Sequence, residues 1–276
     1  MGKVALVTGA GHGIGAAIAR ALAEQGARIA LNYFRSGRSA GALAAALRRK
    51  GFQARAYRAD IRDPLDVCTM TARIRSDLGR VTILVNNAAV MLPGRPIERT
   101  TWRDFQAELD VALRGAFFCL RSVIEDMKKA RWGRVINILA ADIERPTAGH
   151  AAHIAAKSAL AGFTRALAVE LAPVGITVNA VSPGFTLTGS TARLKSSVLK
   201  RLAMMAPTRR LNRPEDIAQA VIFLAQASNI TGQCITVDGG LSLAHPAAGN
   251  LPSPGLVERR VGRDASSAVR RTARLR

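Results

Sequence analysis

The chain has 276 residues, of which 49% are hydrophobic and 21% charged, enough to bury a sizeable core in one large domain or two small ones. No apolar run reaches the roughly 18 residues of a transmembrane helix, and the N-terminal residues lack a signal peptide's cleavage site, so we expect a cytoplasmic protein with no membrane partner. The net charge of +21 comes with no aromatic-rich RNA motif or zinc-finger spacing, so nucleic-acid binding is not predicted.

Short apolar runs alternate with longer helical patterns along the chain. The predicted strands are 4–8, 28–33, 54–59, 82–86, 133–138, 177–182 and 234–238. The predicted helices cover about 15–25, the stretch that ends near 49, 101–129 and 151–171. Strands that alternate with helices form a parallel sheet covered on both faces, and right-handed crossovers make it a doubly wound, three-layer α/β/α sandwich.

The composition changes near the end of the chain. One domain is expected over 1–246, with its last ordered element near Leu243. Residues 247–276 are rich in Pro, Gly, Ala, Ser and Arg, with seven arginines against two acidic residues. We predict a basic tail there that is mostly disordered or loosely docked.

The three cysteines, Cys68, Cys119 and Cys234, are odd in number and far apart in the sequence. Such spacing supports neither a disulfide framework nor a metal-ligand cluster. We therefore expect reduced thiols in the cytosol and no metal site.

A glycine-rich turn joins the first strand to the first helix. After Thr8 it reads Gly9, Ala10, Gly11, His12, Gly13, Ile14 and Gly15. Glycines allow a tight turn and a close approach to a pyrophosphate, and the helix that follows offers free N–H groups and positive partial charge. Because the run lies between a strand and a helix, it indicates a dinucleotide site rather than a simple turn.

The end of the second strand has no acidic side chain. An NAD-type site usually places one there to accept from the ribose hydroxyls. Instead, Asn32, Arg35, Ser36 and Arg38 offer groups that could bind a 2′-phosphate. NADP(H) is therefore predicted in preference to NAD(H), the alternative being that Arg35 and Arg38 are ordinary surface residues.

Three more motifs follow in order along the chain. They are Asp60-Ile61, Asn86-Asn87-Ala88-Ala89 and Ser182-Pro183-Gly184. With the glycine-rich turn they resemble the short-chain dehydrogenase/reductase family over about residues 3–243, including its ketoreductase and pteridine-reductase branches. The resemblance implies a Rossmann-like fold in which Asp60 and Ile61 flank the adenine. It also implies that Asn87 and Ala88 line the ribose, and that Pro183, Gly184 and Thr186 or Thr188 contact the nicotinamide end.

The resemblance also locates the family's proton relay, which consists of an Asn, a Ser, a Tyr and a Lys. Lys157 matches the lysine, whose family role includes binding the nicotinamide ribose. His153 stands where the tyrosine belongs, Ala140 where the serine belongs, and Ala112 where the asparagine belongs. Three of the four groups are therefore replaced, while the cofactor motifs are kept.

His153 is a candidate replacement for the tyrosine. Imidazole is a common biological acid–base group with an unperturbed pKa of about 6.5, and it donates a proton best as imidazolium. A carboxylate partner would favour that form, and the candidates in the sequence are Asp142 and Glu144. We predict that His153 and Lys157 are catalytic in altered roles; the alternative is that His153 has a structural or substrate-contacting role.

Three functions are compatible with these residues. The favoured one is an NADP(H)-dependent oxidoreductase acting on a carbonyl/alcohol pair of a small molecule, with an atypical catalytic centre. The others are a catalytically impaired NADP(H) sensor or scaffold, and a non-redox reaction on the same fold. Residues 186–212, which have a helical apolar pattern followed by Pro207, are expected to form a mobile cover over the nicotinamide. The segments 101–129 and 151–171 resemble the family's subunit contact, which implies a homodimer or homotetramer.

Overall fold

The computed structural model describes residues 2–90, 92–189, 191 and 194–244. Its internal contacts divide the chain into a first unit over 1–242 and a second unit over 243–276. The basic tail predicted over 247–276 lies outside the described residues.

The first unit is built around one sheet of seven parallel strands in the order β3-β2-β1-β4-β5-β6-β7. The strands are β1 (Val4–Val7), β2 (Arg28–Tyr33), β3 (Ala54–Arg58), β4 (Val81–Asn86), β5 (Gly133–Ile138), β6 (Ile176–Pro183) and β7 (Cys234–Val237). The helices are α1 (Gly13–Glu24), α2 (Gly37–Arg49), α3 (Pro64–Asp77), α4 (Trp102–Leu109), α5 (Gly115–Ala130), α6 (Ala151–Leu171), α7 (Ser196–Met205) and α8 (Pro214–Gln226).

The sheet separates two hydrophobic cores, as the alternating direction of strand side chains requires. On β4, Ile83 and Val85 join the core formed with α1, α2 and α8, while Leu84 joins the core formed with α3, α5 and α6. All residues of β1, β4 and β5 are buried, because helices cover both faces of the sheet. The predicted Rossmann-like, doubly wound, three-layer sandwich is confirmed.

The strand order changes direction between β1 and β4. Strands to one side run back through β2 and β3, and strands to the other side run forward from β4 to β7. In open parallel sheets the crevice at the carboxyl ends of such a pair is the usual ligand site. The glycine-rich turn and the Asn87-Ala88 segment follow directly from these two strands, so the fold brings them together.

Two helices, α3 and α8, were not among the predicted elements. Each has proline in its first turn, and Asp63 caps α3 through a hydrogen bond from Leu65 N (2.8 Å). The predicted helix over 101–129 is also divided, because a π-helical turn at Asp110–Arg114 lies between α4 and α5. Such turns shift the register of the side chains that follow and are frequent at functional sites.

None of the described helices is long and apolar enough to cross a membrane. The three cysteines are free thiols, and burial raises the pKa of Cys119 to about 12. In the described part of the chain, no cluster of three or more histidine, cysteine or acidic side chains is arranged to hold a metal ion.

Candidate cofactor-binding and active site

The glycine-rich turn has a shape that side chains would prevent. Gly9 and Gly13 have positive φ angles of 63° and 56°. A Cβ atom on Gly15 would lie 2.5 Å from Asn87 Nδ2 and 2.6 Å from Gly9 O. His12, the exposed N-cap residue of α1, makes no side-chain capping bond. The first N–H groups of α1 therefore remain available to a phosphate, which is the fit that a dinucleotide requires.

Two asparagines hold the turn in place. Gly9 N donates to Asn32 Oδ1 (3.3 Å), and Asn32 Nδ2 donates to Ala59 O (3.1 Å). Asn87 Nδ2 donates to Thr8 O (2.9 Å) from the opposite side. Asn32 is only 2% exposed, so the structure gives it a supporting position beneath the turn.

Further contacts lock the turn against β4 and α2. Ala88 N donates to Thr8 Oγ1 (3.0 Å), and a Cβ atom on Gly9 would lie 2.9 Å from Ala88 Cα. On the α2 side, a side chain on Gly11 would collide with Ser36. Ile14 is partly buried against the core beneath α1. The predicted residues of the pyrophosphate end are thus adjacent in space.

A basic cluster surrounds Phe34 just beyond β2. The guanidinium groups of Arg35, Arg58 and Arg62 each lie 5.7 Å from the centre of the Phe34 ring. Sequence reasoning identified Arg35 but missed Arg58 and Arg62, which follow from the parallel pairing of β2 with β3. These guanidinium groups give the region beyond β2, next to Ser36, a concentrated positive charge.

Asp60 and Ile61 form the neighbouring edge of the site. Arg62 Nη2 donates to Asp60 Oδ2 (2.6 Å), and this bonding holds the pKa of Asp60 below its usual value. The pairing also offsets the charge of Arg62, leaving Arg35 and Arg58 as the less compensated cations. Ile61 is buried, and its side chain occupies the space that a side chain on Gly115 would need.

The segment after β6 forms the other rim of the cleft. Pro183 ends β6 in register with Val237, and Gly184 lies so close to Asp238 that a Cβ atom would come within 2.5 Å of it. Thr186 is buried and its Oγ1 donates to Gly184 O (2.9 Å). A Cβ atom on Gly13 would lie 3.3 Å from Thr188 Cγ2, so this rim approaches the glycine-rich turn.

Lys157 and His153 lie one turn apart on α6. Lys157 is 3% exposed, and its Nζ donates to Ile138 O (2.7 Å) at the end of β5. Burial lowers the pKa of Lys157 to about 8, although the charge of Glu108 acts to raise it. His153 is largely buried and its Nδ1 lies 3.1 Å from Glu108 Oε2.

The carboxylate beside His153 comes from α4 and not from the segment after β5. Asp142 and Glu144 were the candidates in the sequence, and the hydrogen bond to Glu108 shows that this prediction was wrong. The two bonded residues are 45 positions apart, and they meet because α4 packs on α6. Glu108 is the one buried residue of α4, so its contact with His153 depends on helix packing that its position in the sequence does not reveal.

The remaining relay positions carry no polar side chain. Ala112 is buried in the π-helical turn, and Ala140 follows β5 immediately before a short 3₁₀ turn. Neither can donate a hydrogen bond from its side chain to a substrate oxygen. The acid–base groups assembled here are therefore Lys157, His153 and Glu108.

Two small cavities open at this end of the sheet. One, of about 20 Å³, is lined by residues that include Arg95, Asp104, Glu108, His150 and His153. The other, of about 90 Å³, is lined by residues that include Asp142, Arg145, Phe185, Met205 and Asp238. Both cavities are lined by polar and apolar side chains together.

The fold and the site define a dinucleotide-binding protein of the Rossmann type. The family profile described as Enoyl-(Acyl carrier protein) reductase matches residues 9–242. The chain belongs to the short-chain dehydrogenase/reductase family, a family of nicotinamide-dependent oxidoreductases, which confirms the resemblance seen in its motifs.

Several named proteins and solved structures align with most of this chain. A 3-oxoacyl-(acyl-carrier-protein) reductase of Synechocystis is 38% identical, covering 87% of this chain and 96% of its own. A solved short-chain dehydrogenase/reductase mutant of Serratia marcescens is 36% identical with a TM-score of 0.82, covering 88% and 98%. A blue fluorescent protein from a metagenomic library, solved in complex with NADPH, is 39% identical with a TM-score of 0.80, covering 87% and 98%.

Proposed function

We propose that this protein is an NADP(H)-dependent oxidoreductase that interconverts a carbonyl and an alcohol with an atypical proton donor. The observation that carries the proposal is the hydrogen bond between His153 and Glu108, one helical turn from the buried Lys157. Because a 3-oxoacyl-(acyl-carrier-protein) reductase is similar over nearly its whole length, 3-oxoacyl thioesters are the first substrates to test. The expected partner is this small-molecule substrate.

The cofactor preference rests on charge at the end of β2. Arg35 and Arg58 flank Phe34, and the strand end carries no carboxylate that would repel a 2′-phosphate. The similar protein solved with NADPH supports the same choice. When bound, the dinucleotide supplies or accepts a hydride at its nicotinamide ring.

Lys157 is proposed to orient the cofactor and to tune the site. Its Nζ uses one N–H for Ile138 O, which leaves the others to donate to the nicotinamide ribose hydroxyls. A pKa of about 8 means that the ammonium form predominates at neutral pH and is lost as the pH rises. Cofactor contacts that need this charge are expected to weaken above that value.

His153 is proposed to exchange the proton. In reduction its ring gives a proton to the carbonyl oxygen as the carbonyl carbon receives the hydride, and in oxidation it takes the proton from the hydroxyl. Ala140 supplies no donor to hold that oxygen, and removing such a donor typically costs about 10²–10³ in rate. A slow reductase is therefore the expected outcome.

An oligomer is proposed from the outer face of α6. Ala151, Ala155 and Gly162 lie exposed along one side of this helix, and Val169 continues the line at 80% exposure. On the neighbouring α5, Phe117 is 39% exposed. A second copy packed on these small and apolar residues would bury them, giving a homodimer or, with a further contact, a homotetramer.

A single cuvette experiment tests the proposed activity. Purified protein is titrated with NADPH and NADH by nicotinamide fluorescence, and a carbonyl panel that includes 3-oxoacyl thioesters is then added. Tight NADPH binding followed by its oxidation is expected, and His153→Phe should abolish oxidation while leaving NADPH affinity nearly unchanged. Binding with no turnover on any carbonyl would instead favour the NADP(H) sensor or scaffold, and product formation without net cofactor change a non-redox reaction.

A further inference from the structure

Glu108 is a carboxylate buried on α4, whereas buried positions are normally occupied by apolar side chains. It is 3% exposed, so its charge is largely removed from water. Among the described residues it forms no ion pair with an arginine or lysine, and the titratable side chain in contact with it is His153. Burying a carboxylate is costly unless a hydrogen-bonding or cationic partner compensates, so the pairing with His153 is the feature to explain.

The two oxygens of Glu108 have different partners. Oε2 lies 3.1 Å from His153 Nδ1, while Leu92 N donates to Oε1 at 3.4 Å. An ionised carboxylate can only accept, so Nδ1 of His153 is the donor in this contact whenever Glu108 is charged. The same ring then presents Nε2 as its second nitrogen, and no described residue forms a hydrogen bond with that atom.

The helix that carries Glu108 is firmly held. Thr101 and Asp104 form a capping box, with Thr101 N donating to Asp104 Oδ2 (2.8 Å), and α4 packs directly on α6. The π-helical turn then follows immediately after Leu109. Because the carboxylate and the imidazole are on two packed helices, their relative position does not depend on a mobile loop.

We propose that Glu108 is a positioning residue that fixes His153 as the Nδ1–H tautomer and directs Nε2 to the substrate oxygen. This inference rests on the proposed carbonyl reduction and adds to it the residue that makes an imidazole usable in place of a phenol. In oriented acid–base pairs, a carboxylate on one ring nitrogen sets the tautomer and stabilises the imidazolium that forms at the other.

Each proton in the carbonyl reduction has a source and a destination. In reduction His153 begins as the imidazolium, with protons on both Nδ1 and Nε2. The C=O π bond and the Nε2–H bond break, a C–H bond forms with the hydride, and an O–H bond forms with the Nε2 proton. The hydride would come from a C–H bond of the reduced nicotinamide, which would be oxidised to its cationic form as the carbonyl is reduced. The ring is left neutral with its proton on Nδ1, still donated to Glu108. Solvent then returns a proton to Nε2, and oxidation follows the reverse course.

Other charged groups also face this ring and are part of its environment. Lys157 lies one turn along α6, and the small cavity beside His153 is also lined by Arg95, Asp104 and His150. Among the described residues, Glu108 alone is within hydrogen-bonding distance of the ring. The protonation of the His153 ring is therefore measured directly, in addition to the reaction rate.

The test compares Glu108→Gln, Glu108→Leu and the control Glu144→Gln in the full chain. Long-range ¹H–¹⁵N NMR of the cofactor-free protein reports the tautomer of His153, whose signals are assigned by their loss in His153→Phe. With four histidines in the chain, the spectrum is simple enough to assign. The same proteins are assayed for NADPH affinity, kcat and KM with the carbonyl that gives turnover.

The Glu108 variants are expected to lose turnover while they keep their affinity for NADPH. Glu108→Leu should shift His153 away from the Nδ1–H tautomer, and both Glu108 variants should lower kcat by about 10²-fold or more with NADPH affinity within about twofold. Glu144→Gln should match the unsubstituted protein. Glu108→Gln keeps the side-chain shape, so a rate loss there reports the missing charge even if the leucine variant folds poorly.

Two outcomes distinguish a failure of the role proposed for Glu108 from a failure of the proposed oxidoreductase function. If the unsubstituted protein turns over a carbonyl while the Glu108 variants keep its rate and the His153 ¹⁵N shifts, the positioning role of Glu108 is wrong. If no carbonyl turns over, the proposed function fails and the catalytic part of this inference fails with it. The NMR tautomer of the cofactor-free protein then still decides whether Glu108 controls the His153 ring.

Discussion

Single side chains, those of Arg35 and Arg58, are expected to set the preference for NADPH over NADH. Both lie beside exposed Phe34 at the end of the cofactor cleft, and Arg62 in the same cluster is offset by Asp60. A guanidinium that meets a phosphate makes charge-assisted hydrogen bonds worth about 1.5–3 kcal/mol each. NADH has no 2′-phosphate, so these hydrogen bonds would not contribute to its binding.

Arg35→Ala should therefore weaken NADPH binding by about tenfold to a hundredfold while changing NADH binding little. Fluorescence titration with the two cofactors measures the change. Arg49→Ala, at the exposed C-terminal end of α2, is the matched control and should alter neither affinity. An equal loss for both cofactors would mean that Arg35 supports the loop and does not contact the phosphate.

At the scale of the element, the glycine-rich turn and α1 act as one unit. The turn is fixed from three sides by Asn32, Asn87 and Ser36, and its backbone leads directly into the uncapped first turn of α1. Space for side chains is absent at Gly15 but present at Gly41 on α2, where nothing lies within 4 Å of an added Cβ atom.

These two positions give a paired test. Gly15→Ala should displace Asn87 or Gly9 and abolish measurable cofactor binding, because the added Cβ atom meets them at 2.5 and 2.6 Å. Gly41→Ala should raise the free energy of unfolding by about 0.5–1 kcal/mol and leave binding unchanged, since alanine favours a helix interior over glycine. Chemical denaturation and fluorescence titration measure both effects, and normal NADPH affinity in Gly15→Ala would contradict the assigned turn.

At the scale of the whole molecule, the exposed side of α6 raises the question of assembly. Gly162 has no atom within 4 Å of an added Cβ, so the single chain alone gives no reason for a glycine there. A second copy packed against this helix would give one, because close approach of two helices requires small residues at the contact.

Gly162→Leu should accordingly convert the oligomer to a monomer of 29.3 kDa without loss of the fold. Size-exclusion chromatography with light scattering gives the mass, and circular dichroism checks the fold. Gly41→Leu, on another helix with equal space around it, should keep the oligomer. A monomer already in the unsubstituted protein would overturn the proposed assembly.

Much of the fold could be predicted because its signals are local. The boundaries of β2, β5 and α6 were predicted to the residue, since each is a periodic apolar segment limited by glycine, proline or polar residues. The helices α3 and α8 were missed, although Pro64 and Pro214 mark where they begin and α8 has a clear apolar period at Ile217, Val221 and Leu224.

The parallel sheet and the glycine-rich turn were predictable from the sequence alone. So were the lack of an acid at the end of β2 and the apolar side chains at Ala112 and Ala140. These are statements about residue types at fixed positions along the chain. The bond between Glu108 and His153 was not predictable in this way, nor was the grouping of Arg58 and Arg62 with Arg35 around Phe34. Such contacts depend on how α4 packs on α6 and β3 pairs with β2, and spacing along the chain does not encode that geometry.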